Sequence, residues 1–226
     1  MLKGIKYIYL DGMGVILEVN KPLSYYFSNE LGITQHQFHK YEMQTINKMT
    51  PEMNEKFWHL STLEEEIEYS KEFNKIFLDN IGRESNDVLL DKLTKFRVKS
   101  DVKLKEGVHD ALKNLAKKYM LGVLTNAMPS RKYYELTIDG IDKYFDQIII
   151  SREIGHHKPD PIIYQEAIKR ANVEPKTMLF VDDKVKYLVG ATNAGFGAGV
   201  LMGTDETTDK YPQAQTFNDL VSLLMK

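Results

Sequence analysis

The chain reads as an α/β protein, an open parallel sheet with crossover helices that is interrupted by an inserted helical subdomain. Three observations predict this. Short apolar runs bounded by turn residues alternate with segments of helical period. Those runs are continuous rather than alternating, as strands covered on both faces require. Between the first run and Lys103, by contrast, helix signatures follow one another without a strand pattern.

In chain order, residues 6–11 form the first predicted strand, and the insertion follows, hinged near residues 18–21 and 99–103. Within it Thr50 and Pro51 read as a helix start, because a hydroxyl cap and a first-turn proline both suit N–H groups that lack helical partners. Ser61 with Glu64 reads as a capping box, and Tyr69, Phe73, Ile76 and Phe77 as one apolar face. Leu89, Leu93 and Phe96 mark another helix. Past the insertion, Val108, Ala111, Leu112, Leu115 and Ala116 recur at helical spacing within residues 106–119. Further strands are expected at Met120–Thr125, residues 147–151, Met178–Asp182 and Ala198–Met202. Asp160 and Pro161 start a helix running through Ala171, and Phe217, Leu220, Val221 and Leu224 mark a last amphipathic one. The predicted domains are an α/β core of residues 1–18 and 103–226 and a helical subdomain of residues 19–102.

Composition narrows the chemistry. At 226 residues and 42% hydrophobic content the chain can fill a core and carry an insertion. A formal net charge of -2 supplies no basic field for nucleic acid or an anionic membrane surface, so small solutes are the expected partners. The apolar run at residues 5–10 is far shorter than a membrane-spanning helix and reads as a buried strand. With no cysteine, thiolate zinc sites, disulfide scaffolds and cysteine nucleophiles drop out together, and a cytoplasmic location is expected. Nothing in the sequence marks an oligomer, and monomer and homodimer stay open.

In open parallel sheets, ligands bind beyond the carboxyl ends of the strands. Here those ends are polar. The first run ends in Asp11 and a flexible Gly12-Met13-Gly14, the second in Thr125 and Asn126, and the fourth in Asp182 and Asp183, while Lys158 follows the third after a short loop. Singly, each has a plainer reading: a strand-end Asp is usually a cap, Thr-Asn a turn starter, and adjacent acids a solvated surface. Three converging carboxylates repel one another unless a cation or paired lysine offsets them, and no His or Cys accompanies them as zinc would require. An oxygen-lined site of this kind suits magnesium.

The segments IKYIYLDGMGVIL, MLGVLTNA, GHHKPDPIIYQEAI and MLFVDDKVKYLVGATNAG resemble the four ordered motifs of the haloacid dehalogenase-like hydrolase superfamily. The match spans essentially the whole chain, and the helical insertion resembles the cap of the subgroup that holds sugar-phosphate phosphatases, β-phosphoglucomutases and haloacid dehalogenases. This resemblance implies a Rossmann-like core with an α-helical cap. It also implies that Asp11 attacks phosphorus to form an aspartyl-phosphate, that Thr125 and Asn126 bind the phosphoryl group, and that Lys158 steadies both nucleophile and transferring group. Mg2+ would be held by Asp11, the backbone carbonyl of Met13 and Asp183, with Asp182 as alternative or indirect partner. The implied substrate is a small phosphorylated metabolite. A carboxylate nucleophile splits hydrolysis into formation and breakdown of an acyl phosphate, while nearby cations offset charge on the equatorial oxygens.

One position departs from the pattern. Most phosphatases of this family carry a second Asp two residues after the nucleophile, serving as general acid and then base, and this chain has Met13 there. Positioned acid or base catalysis is worth about 10² to 10⁴ in rate, so alkoxide-like leaving groups should suffer most. Three readings follow: a Mg2+-dependent phosphatase, a metal-independent 2-haloacid dehalogenase, or a non-catalytic protein that binds a phosphate ligand. The paired acids of the fourth motif argue against the dehalogenase. His156 and His157 beside Lys158 are weaker candidates for proton transfer. In the cap, Tyr25, Tyr26, Trp58 and His59 could face a substrate, although aromatic residues at helical spacing usually pack.

Overall fold

A computed structural model describes residues 2–225. Its elements run β1 (Tyr7–Leu10), β2 (Leu17–Lys21), α1 (Leu23–Leu31), α2 (Gln35–Lys48), α3 (Pro51–His59), α4 (Leu63–Asn80), α5 (Asp87–Val98) and β3 (Asp101–Leu104). The chain continues through α6 (Val108–Leu115), β4 (Met120–Thr125), α7 (Ser130–Tyr134), β5 (Gln147–Ile150), α8 (Ser151–Ile154), α9 (Pro161–Ala171), β6 (Met178–Asp182), α10 (Val185–Ala194), β7 (Ala198–Met202), β8 (Gln213–Ala214) and α11 (Phe217–Leu224). It divides into an α/β unit, made of the chain up to Glu18, Lys103–Ala127 and everything from Leu136 onward, and a helical unit of Val19–Val102 with Met128–Glu135.

In the α/β unit a six-stranded sheet has the order β5-β4-β1-β6-β7-β8, parallel throughout. Every residue of β1 and β6 is buried, which explains their unbroken apolar runs: helices cover both faces and leave no polar side. Tyr7 and Tyr9 fit in β1 because Gly122 on β4 leaves room for their rings; a Cβ there would lie 2.6 Å from the Tyr9 ring. The Tyr9 hydroxyl donates to the Ala167 carbonyl at 3.0 Å, so its burial leaves no polar atom stranded.

The helical unit packs around two apolar clusters. One joins Phe27, Phe38, Phe77 and Leu93; the other joins Met53, Leu60, Tyr69 and Phe73. Thr50 caps α3 through the Met53 N–H. The capping box of α4, expected at Ser61 and Glu64, is formed one residue later by Thr62 and Glu65, and Ser61 also donates to Glu65 through its N–H and hydroxyl. Two hydroxyl residues followed by three glutamates offer alternative registers, and the backbone selects the one that spends both Ser61 and Thr62 on a single carboxylate.

The expectation of no strand between β1 and Lys103 is corrected by β2 and β3, which form a two-stranded sheet. Past Leu17 and Glu18, β2 is exposed, so no apolar run announces it. Polar pairs hold it instead: Asn20 donates to Asp101 at 3.1 Å, and Lys103 lies 3.0 Å from Glu18.

Candidate active site

The sheet register brings three strand ends level. Leu10 pairs with Val123 and with Val181, so Asp11, one residue on, comes beside Asp182, and Thr125 closes β4 two residues past Val123. The Asp11 N–H donates to the Val181 carbonyl at 2.9 Å, fixing the nucleophile candidate's backbone to β6.

Lys158 joins them from the loop before α9. Asn126 clamps it: the Asn126 amide donates to the Lys158 carbonyl at 2.9 Å and accepts from its N–H at 2.7 Å. Expected from the sequence to bind the phosphoryl group, Asn126 lines the pocket but spends both polar atoms on the Lys158 backbone. The ammonium lies 2.6 Å from Asp182 Oδ2 and 2.8 Å from Asp11 Oδ1, over the rings of Phe180 and Tyr187. Burial pulls its pKa down, but the charges of Asp11 and Asp182 outweigh that and leave it above the ordinary lysine value. Asp11 Oδ1 is buried, and the Lys158 ammonium is its ion-pair partner.

The two acids of the fourth motif part company. Asp182 is fully buried, with one oxygen on Lys158 and the other accepting from the Lys184 N–H at 2.9 Å at the turn into α10. Burial pushes its carboxyl up to about 7 despite the lysine beside it. Asp183 instead lines a pocket of about 250 Å³ together with Asp11, Met13, Thr125, Asn126 and Lys158. Gly14, at φ +94°, makes room for it: a Cβ on Gly14 would sit 2.7 Å from Asp183 Oδ2. Lys105 donates to the Gly14 carbonyl at 2.6 Å, tying the loop after Asp11 from its far end.

Oxygens of Asp11, Asp182 and Asp183 all lie within 4.8 Å of one another. Three carboxylates against one buried ammonium leave excess negative charge, and this hard oxygen donor set, with Lys158 the one cation among the described residues beside the buried Asp11 oxygen, fits a small divalent cation such as Mg2+. Lys184, 3.5 Å from Asp183, is partly exposed and offsets this from the solvent side.

Lys184, Lys186 and Tyr187 complete the pocket and were not singled out by sequence. A lysine next to an acid is ordinary on any solvated helix start, so only their place directly after the acid pair could have marked them. His156 pairs with Asp160 at 2.9 Å, and neither His156 nor His157 lines the pocket. In the helical unit Tyr26 donates to Asp101 and meets Tyr25 edge-on, while Trp58 lines a cavity of that unit.

A model of the family described as haloacid dehalogenase-like hydrolase matches residues 27–200. The chain is similar to a glyceraldehyde 3-phosphate phosphatase of Methanothermobacter thermautotrophicus, 34% identical over 93 residues, covering 41% of each chain. It is also similar to the pyrophosphatase PpaX of Bacillus mycoides, 29% identical over 40% of this chain and 42% of the other. The matched stretch thus spans about two fifths of these curated relatives. Among solved structures, a 2-haloacid dehalogenase from Pseudomonas syringae pv. Tomato DC3000 superposes with a TM-score of 0.71 at 19% identity over 98% of each chain, a likeness of fold alone.

Proposed function

Because the chain belongs to the haloacid dehalogenase-like hydrolase family, we propose that it is a Mg2+-dependent phosphatase of small phosphorylated metabolites acting through Asp11. The observation that carries this is the Asp11 carboxylate, buried, ion-paired with Lys158 at 2.8 Å and lining a pocket beside Asp183. The relatives' names, one a phosphatase of a sugar phosphate and one a pyrophosphatase, support a phosphate-bearing substrate.

In this reading Asp11 attacks phosphorus and carries the aspartyl-phosphate. Lys158 stays charged at neutral pH and holds a phosphoryl oxygen, and the buried Thr125 hydroxyl donates to another. Asp182 and Asn126 position Lys158, through its ammonium and its backbone respectively. Asp11, Asp183 and the Met13 carbonyl would hold the metal, which when bound neutralises charge on the phosphate and permits an anionic nucleophile to approach it. Met13 offers no proton, so the leaving group departs unaided or by way of water.

The test is a panel of acyl, aryl and sugar phosphates with Mg2+ or EDTA. Turnover that requires Mg2+ and vanishes in Asp11→Asn is expected; no turnover of any member would overturn the reading and leave a phosphate-binding protein. The apolar Met13 at the pocket wall favours a second reading, haloacid dehalogenation, which predicts halide release that persists in EDTA.

A further inference from the structure

The helical unit contains a cavity of about 440 Å³ with walls from all five of its long helices, including Leu23 of α1, Ile46 of α2, Phe57 of α3, Phe73 of α4 and Arg97 of α5. It shares no lining residue with the pocket at Asp11. Its volume lies in the range of small-molecule sites, about 300 to 1,000 Å³. We propose that this cavity binds an uncharged aromatic molecule of one or two rings.

The walls supply the apolar half of the argument. Phe57, Trp58, Tyr69 and Phe73 present ring surface, and Met49 and Met128 add unbranched thioethers that adjust around a flat guest. Trp58 and Ile46 are 54% and 42% exposed, large apolar groups kept in water at a lining they share. A ligand seated there would cover them.

Charge supplies the other half. Arg97 is the one cation among the lining residues, and its guanidinium is spent. Both terminal nitrogens donate to Glu42 at 2.8 Å, Nε donates to Asn74 at 2.6 Å, and the plane lies over the rings of Phe73 and Phe27. Glu66 accepts from the Ser130 N–H at 2.8 Å and from its hydroxyl at 2.7 Å. Two carboxylates against one guanidinium give the lining a formal charge of -1. An anion would meet repulsion and no unspent cationic donor, and a cation would lose its water opposite carboxyl groups already occupied. Neutral ring surface is what remains complementary.

This inference does not depend on the phosphatase reading, and binding tests it without turnover. The full chain is titrated by calorimetry with 2-naphthol and with the anionic 2-naphthoate, while emission of Trp58, the chain's single tryptophan, reports the site. Saturable 2-naphthol binding with a change in Trp58 emission, and 2-naphthoate at least about tenfold weaker, is expected from the charge argument. Ile46→Glu, at a partly exposed position that tolerates a charge, should weaken 2-naphthol about tenfold or more, and Ser70→Phe should do so by filling the cavity. Absence of saturable binding, 2-naphthoate binding as tightly as 2-naphthol, or both variants keeping the parent affinity would overturn the proposal.

Discussion

Asp182 accepts a 2.6 Å hydrogen bond from Lys158, and the side chains are 0% and 1% exposed. The buried lysine is thus anchored by an acid that does not line the pocket, and the neighbouring acid, Asp183, is left to face it.

Asp182→Asn keeps the shape but leaves Lys158 with Asp11 alone. Breaking one side of a buried pair costs about 3 to 5 kcal/mol, which urea denaturation in EDTA should register. Asp183→Asn should cost far less stability and instead abolish the rise in Tm expected on adding Mg2+. The reverse pattern would exchange the roles given to these two acids.

Gly14→Ala should impair Mg2+ binding more than folding. A left-handed residue other than glycine costs about 1 to 3 kcal/mol, and the new methyl also displaces Asp183. Gly4 has φ +76° with nothing within 4 Å of its would-be Cβ, so Gly4→Ala carries the backbone cost alone. A Mg2+ affinity loss in calorimetry confined to Gly14→Ala is the expected result.

Met13→Asp restores a carboxyl at the pocket wall, two residues after Asp11. The gain in kcat/KM should be about 10² or more for alkyl phosphates and much smaller for aryl phosphates, whose leaving groups need less protonation. Equal gains for both would show that Met13 is not what limits proton delivery.

Glu66 gives a pH signature. Burial raises its carboxyl above the ordinary value, against the lowering effect of its two Ser130 bonds, with Glu135 adding to the rise and Arg131 opposing it. The folded state therefore holds this proton more tightly than the unfolded state. That stability is fully present below the unfolded pKa of about 4.5 and is lost as pH rises through the folded value. Glu66→Gln should flatten this part of the Tm profile between pH 4 and neutrality, whereas an unchanged slope would assign the loss to other groups.

Much of the α/β unit was legible in the sequence because burial on both faces writes itself as an apolar run. Met120–Thr125, Met178–Asp182 and Ala198–Met202 were delimited to the residue, as was Pro161–Ala171, where Asp160 accepts from the Ile162 N–H. β2 was not, because it rests on cross-strand polar pairs and buries little. Convergence of Asp11, Thr125, Lys158 and the acid pair followed from strand ends in a parallel sheet. The residues alone did not divide the labour between Asp182 and Asp183, since adjacent residues leaving a strand point opposite ways and only the register says which way is in; the family resemblance put the metal on Asp183 and left Asp182 as an alternative or indirect partner. Nor could Asn126 be seen as a clamp, because its partner is backbone and any residue but proline at position 158 would satisfy it.

The pocket draws its groups from the ends of β1, β4 and β6 and from the loop before α9, so no contiguous fragment that stops short of β6 contains it. A chain cut short of β6 lacks Asp182 and Asp183 and so has no carboxylate cluster. Whatever chemistry the cluster performs therefore depends on a chain that runs at least through β6 and the start of α10.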